Sequence, residues 1–518
     1  MAYVLIGFMG AGKSTVAREL GEALGTAPVD SDRRLAERLG HSVARELELA
    51  GEAAFRATEE QLVCELLSEA GPEQALALGG GSVLSERVRG ELASHQTVLL
   101  DIEAQDAWER VSAEQGAAER PLARDRQAFA ALHSERRALY ERLADAILPP
   151  LPLGGAAAVL PALRSLAAAP SGTRLLWATS ASGDYPVLVG TGLLGGEGGR
   201  AAAGIWPLAR SRSRAFCVSD STVAGLYGER VGELAATIVI DPGESHKTLA
   251  SAERVWQELV ERGMTRADHL VALGGGVVGD LAGFCAATYQ RGVPVVQVPT
   301  TLVAQVDSAY GGKTGVDLPQ AKNYVGAYHQ PAGVLVDPAA LQTLPAAELA
   351  AGWVEVLKTA LIAGGELWRE VSAGGEVSER TILACARTKL AIVAADERDA
   401  GARQALNLGH TVGHAIETVT GYSRYRHGEA VGLGLLAALR LSGQGELREQ
   451  VSELLRERTL PVSLQGVSVE AVVEATARDK KRLGDKVPFV LLRAPGEVSV
   501  GCDVPEDELS AAVAELAG

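Results

Sequence analysis

The sequence predicts an α/β protein: a phosphate-loop domain, then a doubly wound parallel sheet, then an all-α domain that covers the cleft of that sheet. Three observations predict it. A short apolar run from Tyr3 to Ile6 leads into G-F-M-G-A-G-K-S-T and a helical pattern that lasts to Leu24. From Pro186 to Leu273, strand-like apolar runs alternate with helical stretches, the pattern of parallel strands joined by crossover helices. From Ala346 onward helical periodicity dominates, and the stretch Asn407 to Glu429 gathers three of the nine histidines.

Length and charge set limits. A chain of 518 residues exceeds one ordinary core, and 47% hydrophobic with 22% charged residues fits a globular protein of two to four domains. The balance of 49 basic against 65 acidic residues gives −16, which argues against nucleic acid or an anionic membrane surface as a general partner. An anionic substrate would need a local basic pocket. Cys64, Cys217, Cys285, Cys385 and Cys502 are scattered and form no C-x-x-C pair, the usage of a reduced, cytoplasmic protein without disulfides or a thiolate metal site. Met1 to Phe8 is apolar but lacks a basic flank, and Gly10, Gly12 and Lys13 interrupt it, so it reads as a buried strand and not a signal peptide. No run of 18 apolar residues exists, so no membrane span is expected.

The loop from Gly7 to Thr15 completes G-x-x-x-x-G-K-S/T between a strand and a helix. Its glycines let backbone N–H groups curl around phosphate oxygens, and the helix N-terminus adds its positive end. Lys13 reaches the outer phosphates, and the Ser14 hydroxyl can ligate Mg²⁺. Asp30 and Asp32 follow the next apolar segment, and Phe55-Arg56 falls in a helical region. Ala75 to Leu78 is a short strand ending in Gly79-Gly80-Gly81. Arg120-Pro121-Leu122 lies in a charged stretch suited to a lid, and Arg136 and Tyr140 stand one helical turn apart. Ala156 to Ala168 reads as a closing helix, and residues 169–172 as a linker.

On these motifs, residues 1–168 resemble shikimate kinase, a small P-loop kinase with an adenylate-kinase-like fold. The resemblance implies that Gly10, Ala11, Gly12, Lys13, Ser14 and Thr15 hold ATP, with Ser14 on Mg²⁺ and Lys13 in a catalytic role. It implies that Arg120 reaches the nucleotide phosphates from the lid. Asp32, Arg56, Gly80 and Arg136 would hold shikimate, with Asp32 orienting or deprotonating the attacking hydroxyl. The family pattern R-x-P-x-Y loses its proline here, in Arg136-Arg137-Ala138-Leu139-Tyr140. Arg136 stays the expected clamp, with Arg137 as its competitor.

In residues 173–345, strands are expected at Pro186 to Val189, Ala215 to Val218, Thr237 to Ile240 and His269 to Leu273. The last runs into Gly274-Gly275-Gly276-Val277-Val278-Gly279-Asp280, a G-x-G-x-x-G match without the usual acidic residue about 20 positions on. That suggests a nucleotide site of another design, in which Glu244 or Asp220 grips the ribose. The dense run Thr300, Thr301, Asp307, Gly311-Gly312-Lys313 and Lys322-Asn323 suggests an anion pocket beside a cofactor.

In residues 346–518, Glu355 and Lys358 share a helix face, and Lys389, Asp396, Glu397 and Arg398 precede the histidine-rich stretch. His410 and His414 are four apart and Glu417 follows three later, so a helix places them together as a candidate metal site.

The motifs from Tyr185 to Lys481 resemble 3-dehydroquinate synthase. They are P-G-E-x-x-K, G-G-G-V-V-G-D-L-A-G-F, V-P-T-T-L-x-A-Q-V-D-S, G-G-K-T-G-V, A-G-x-x-E-V-x-K, L-N-L-G-H-T-x-G-H-A-I-E, H-G-E-A-V and D-K-K. The resemblance implies an NAD- and metal-dependent lyase that converts a seven-carbon sugar-acid phosphate (3-deoxy-arabino-heptulosonate 7-phosphate) to 3-dehydroquinate and phosphate. Glu355, His410 and His427 would bind Zn²⁺ or Co²⁺. NAD⁺ would lie along Pro242, Gly243, Glu244, Ser245, His246 and Lys247, then Gly276, Val277, Val278, Gly279 and Asp280, then Thr300 and Thr301. Lys313, Lys322, Ala340, Leu341, Gln342 and Thr343 would lie nearby. Asp307, Lys313, Asn323, Lys358, Lys389, Arg398, Asn407, His414 and Lys480 would line the substrate, with Lys313, Lys358, Lys389, Arg398, Asn407 and His414 in catalytic roles. Arg291 would reach a neighbouring subunit's site, which implies a homodimer.

This division splits the i,i+4 histidine pair: His410 goes to the metal, His414 faces substrate, and Glu417 takes a supporting role. The whole reads as a bifunctional enzyme of aromatic amino-acid biosynthesis. The alternatives are a related sugar-phosphate cyclase or polyol dehydrogenase in the second half, and a gluconate-type kinase or a regulatory module in the first.

Overall fold

The computed structural model describes residues 1–113, 125–195, 203–208, 213–319, 321–477 and 487–517. The chain forms two compact units, Met1–Ala178 with Pro186–Leu188, and Thr179–Tyr185 with Val189–Gly518.

In the first unit the strand Tyr3–Ile6 lies between Ala75–Ala77 and Gln96–Leu100, all parallel, with Leu5 opposite both Ala77 and Val98. Val29–Asp30 flanks one side, and Ala146–Leu148 and Arg174–Ala178 extend the other. Every side chain of Tyr3–Ile6 is buried, as expected for a strand covered on both faces. The phosphate-type loop leaves the C-terminal end of this central strand, where chain order reverses, the usual place for a ligand crevice. The helix Lys13–Leu24 buries Val16, Ala17, Leu20 and Gly21 on one face and ends at Gly25, whose φ of 67° closes the last turn.

In the second unit, parallel strands run in the order Gly333–Val336, Val295–Pro299, His269–Gly274, Ala215–Asp220 and Ala236–Ile240. Crossover helices, chiefly Leu249–Glu261 and Gly276–Thr288, cover this sheet, and the core is built from Val218, Ile238, Val255, Leu259, Leu281 and Val295. A hairpin of Lys313–Leu318 and Ala321–Tyr328 interrupts the parallel pattern.

The C-terminal part is helical but not all-α. Phe489–Ala494 and Glu497–Cys502 form an antiparallel hairpin. The physical reason lies in F-V-L-L-R-A, turned by Pro495-Gly496: the strand buries Phe489, Val490 and Leu492, and Gly496 adopts φ 93°. The Gly496 N–H donates to Leu361 O at 2.8 Å, so the turn rests on the end of the helix Ala346–Ala363. That helix buries every residue from Ala351 to Ile362 and is therefore an interior helix. Among the described residues, no helix is long and apolar enough to cross a membrane.

Candidate active sites

The first site is built at the glycine loop. Gly12 takes φ 90° as the cap of the helix Lys13–Leu24, and a Cβ on Gly7 would lie 2.6 Å from Leu100 O. Only glycine fits either place. Lys13 Nζ donates to Gly7 O at 2.9 Å and Phe8 O at 3.1 Å, so its ammonium lies along the inside of the loop. The two carboxylates of D-S-D divide their work. Asp30 Oδ1 accepts from Asp32 N at 3.0 Å and Arg33 N at 3.1 Å, capping the helix Ser31–Leu39. Asp32 turns toward the second glycine loop, where a Cβ on Gly79 would lie 2.6 Å from Asp32 Oδ1. A Cβ on Gly81 would overlap the Arg56 guanidinium.

Arg56 Nη1 donates to Glu59 Oε2 at 2.6 Å, and Glu59, buried, also accepts from Ser82 Oγ at 3.0 Å. Glu59 is a supporting residue that the sequence reading missed, although it stands at i,i+3 from Arg56 on the helix Glu52–Glu69. Arg136 is buried, whereas Arg137 pairs with Glu141 at 3.0 Å and Glu103 at 3.1 Å. Tyr140 donates to Gly80 O at 2.5 Å. Burial raises the Tyr140 hydroxyl's pKa, and Arg136 beside it works the other way. The structure thus brings Lys13, Asp32, Arg56, Gly80 and Arg136 around one loop pair. Arg120 lies outside the described residues.

The second unit presents a nucleotide-type corner at the C-terminal ends of its strands. Gly275 leads into the helix Gly276–Thr288, and Thr300 N donates to Gly274 O at 3.0 Å. A Cβ on Gly275 would lie 2.8 Å from Thr301 Cγ2, so the two loops are in close contact. Thr300 Oγ1 is buried without a hydrogen bond. Lys247, also buried, pairs with Asp280 at 2.6 Å and bonds Asn323 Oδ1. Lys322 pairs with Glu244 at 3.2 Å. Asp220 caps the helix Ser221–Tyr227 through Thr222 N and Val223 N, both at 2.9 Å. Tyr227 bonds Thr343 Oγ1 at 2.7 Å, which fixes the turn Pro338–Thr343.

A cluster of buried charges lies among the helices. Glu355, fully buried, points Oε1 at His410 Nε2 (3.6 Å) and His427 Nε2 (3.4 Å), and this oxygen takes no hydrogen bond. Donor atoms of the three residues lie within 4.8 Å of one another. One carboxylate and two imidazoles around a buried oxygen without a hydrogen bond fit a divalent cation with open positions. Lys358 Nζ lies 2.5 Å from Glu355 Oε2. Burial opposes the charge on Glu355, but Lys358, His410 and His427 outweigh it and hold the carboxyl well below the usual range.

Asp307 sits in the π-helical turn Ala304–Ser308 and pairs with Lys389 at 2.8 Å. Burial pushes its pKa up, yet Lys389 and Lys358 bring it down to about 2. His414 groups instead with Glu417 and His427, and its ring meets that of His410 edge-on at 5.3 Å.

Glycines allow this convergence. A Cβ on Gly428, beside His427, would overlap Ala351 O on the helix Ala346–Ala363. A Cβ on Gly434 would overlap Gly409 O, beside His410. The helices carrying the three donors therefore meet backbone to backbone.

Other expected residues are placed as follows. Lys313 pairs with Asp399 at 2.5 Å and is about half exposed. Asn407 ends the turn Ala402–Asn407 just before His410. Arg398 is exposed over the Tyr328 ring at 5.6 Å. Arg403, which the sequence reading passed over, is buried here: it donates to Glu397 O at 2.5 Å and Gly311 O at 2.8 Å, and its Nε is buried without a partner. The available signal was an arginine four residues before Asn407 in an otherwise uncharged turn. Lys480 lies outside the described residues.

The shikimate kinase family model matches residues 9–149. The 3-dehydroquinate synthase N-terminal model matches 237–351, and the C-terminal model 352–482. The chain is 43% identical to the 3-dehydroquinate synthase of Symbiobacterium thermophilum over 63% of this chain and 96% of that protein. It is 41% identical to that of Halorhodospira halophila over 66% and 99%. Among solved structures, 2-epi-5-epi-valiolone synthase from Streptomyces hygroscopicus with NAD⁺ and Zn²⁺ bound matches with TM-score 0.58 and 28% identity, over 64% of this chain and 96% of that one. A 2-deoxy-scyllo-inosose synthase complexed with carbaglucose-6-phosphate, NAD⁺ and Co²⁺ shares the fold, with TM-score 0.58 and 23% identity over 66% and 99%.

Two predictions come from the helix cluster. Gly428→Ala should lower the stability of the second unit by about 1–3 kcal/mol and weaken zinc binding about tenfold or more, by thermal melts and metal titration. Gly445→Ala, which meets nothing within 4 Å, is the neutral control. Asp307 has a depressed pKa, from its ordinary 3.8 to about 2, so it contributes stability that is complete above about pH 4 and is lost as pH falls toward 2. Asp307→Asn should reduce stability at neutral pH and flatten that acid limb in denaturant titrations.

Proposed function

Since the chain belongs to the 3-dehydroquinate synthase family and carries a shikimate kinase domain ahead of it, we propose how its residues divide two activities of the shikimate pathway. The protein is a bifunctional enzyme. One half phosphorylates the 3-hydroxyl of shikimate with ATP and Mg²⁺. The other converts 3-deoxy-arabino-heptulosonate 7-phosphate to 3-dehydroquinate with release of phosphate, using NAD⁺ and Zn²⁺ or Co²⁺. The observation that supports the second reading best is the buried Glu355 oxygen facing His410 and His427, with Lys358 and the Lys389–Asp307 pair alongside.

In the kinase half, Lys13 neutralises the outer phosphates from inside the loop, and Ser14 offers its hydroxyl to Mg²⁺. Arg56, fixed by Glu59, and Arg136 bind the shikimate carboxylate, and Asp32 accepts the proton of the attacking hydroxyl. In the synthase half, Glu355, His410 and His427 hold the metal, and Glu244, Lys247, Asp280 and Thr300 frame the nucleotide. When bound, the metal polarises substrate oxygens, and NAD⁺ accepts a hydride and returns it within the same turnover. Lys358, Lys389, Arg398, Arg403 and Lys480 supply the cationic lining for phosphate and carboxylate. Asn407 and His414 face the substrate, His414 as the group that handles a proton.

The kinase half spans 1–168, with a linker at 169–172, a nucleotide-binding part at 173–345 and the helical part at 346–518. The enzyme works in the cytoplasm as a homodimer through the synthase half. Support for the dimer comes from Gln290 (φ 49°) and Arg291 (φ 68°), consecutive non-glycine residues held left-handed with Arg291 exposed. Such backbone cost is retained where a side chain must be aimed.

Purified full-length chain should show both activities. A tight chelator at saturating Mg²⁺ should abolish phosphate release from the heptulosonate phosphate and spare shikimate-dependent ADP formation. Absence of phosphate release with NAD⁺ and Zn²⁺ would sink the synthase assignment, and unchanged ADP formation in Lys13→Ala would sink the kinase one. For the dimer, Arg291→Ala and His410→Ala should each be inactive as synthases. Their remixed subunits should regain roughly a quarter of wild-type activity. No recovery means that Arg291 does not act across subunits.

A further inference from the structure

His427 offers two ring nitrogens to two different carboxylates. Its Nε2 lies 3.4 Å from Glu355 Oε1, and its Nδ1 lies 3.3 Å from Glu417 Oε2. An imidazole that binds a metal through one nitrogen is fixed in tautomer and orientation by the acceptor on the other, and losing that acceptor typically costs tenfold or more in affinity. Glu417 is buried in the helix His410–Val419, and its second oxygen takes Lys322 Nζ at 3.1 Å. Lys322 also reaches Glu244 Oε1 at 3.2 Å, and Glu244 opens the turn Glu244–His246 that leads to Lys247. One continuous chain of contacts thus runs from Glu244 through Lys322, Glu417 and His427 to Glu355.

We propose that Glu417 and Lys322 are positioning residues that couple the metal triad to the nucleotide corner, so that a divalent cation and NAD⁺ each tighten the other's binding. The inference rests on the assignment of Glu355, His410 and His427 to the metal and of Glu244 to the nucleotide. Ribose hydroxyls bound to Glu244 hold that carboxylate still, which holds Lys322, which in turn holds Glu417 and the His427 ring. Freedom removed by the first ligand is not removed again by the second, and linkage makes the gain equal in both directions. His414, Glu417 and His427 also bring donor atoms within 4.8 Å of one another, a second grouping that could be taken for a metal site. The Lys322 ammonium already neutralises Glu417 there, so the orienting role fits this carboxylate better than ligation does.

The test is calorimetric titration of metal-free full-length chain with zinc, with and without saturating NAD⁺, and of NAD⁺ with and without zinc. The wild-type chain should bind one zinc, NAD⁺ should tighten it about threefold or more, and zinc should tighten NAD⁺ by the same factor. Glu417→Gln should weaken zinc about tenfold or more and remove the coupling, and Glu417→Asp should recover part of both. Fold is checked by the circular dichroism of the metal-free variants. A wild-type chain without coupling, or Glu417→Gln with undiminished zinc affinity and coupling, would overturn the proposal. Zinc binding that survives His410→Ala would instead overturn the triad assignment and take the proposal with it.

Discussion

A carboxylate with no exposed surface governs the second unit. Glu355 lies on an interior helix, and a charge there is tolerable only if cations surround it. Lys358 supplies one of them from the next turn, and His410 and His427 face the other oxygen. Lys358 in turn lies close enough to Asp307 to lower its pKa, and Asp307 holds Lys389. The cluster therefore alternates in sign across segments far apart in sequence. Each member is costly alone and acceptable together, so the chemistry and the packing of these helices are one problem.

The kinase half solves an easier problem. Its charged groups lie on separate helices, Lys13 and Asp32 in first turns and Arg56 and Arg136 further along, and they converge on two glycine loops. Asp30 spends its carboxylate on a helix cap, leaving Asp32 for the pocket. Tyr140 anchors the Gly80 carbonyl from the helix that carries Arg136, which joins loop and clamp.

Much of this could be read from the chain, for reasons that differ by element. Tyr3–Ile6 and the helix end at Leu24 are legible in the sequence because Gly7 and Gly25 punctuate them, whereas the helix starts at Lys13, inside the loop motif. The strands Gln96–Leu100 and Val295–Pro299 are harder to see, because each run carries a glutamine and neither is followed by a glycine as Tyr3–Ile6 and Tyr185–Val189 are. The hairpin after Pro488 was hidden by the strong helical signal around it. Within the site, spacing suggested His410 with His414, since i,i+4 is all that local periodicity can report. Glu355 and His410 stand 55 positions apart, and no local pattern encodes their meeting; only the family resemblance suggested it. Arg398 drew attention as part of a charged run, yet burial distinguishes Arg403, and burial is a property of the fold.

The glycine contacts at Gly428 and Gly434 have an evolutionary consequence. Neither glycine carries a side chain that could act as a ligand, yet the helices meet there with no room for one carbon atom. The metal cluster is thus guarded by absent atoms. Substitution at Gly428 or Gly434 should be closed on packing grounds alone. A search for new substrate specificity by random mutagenesis would lose every variant that gains a side chain at either position, through packing rather than chemistry.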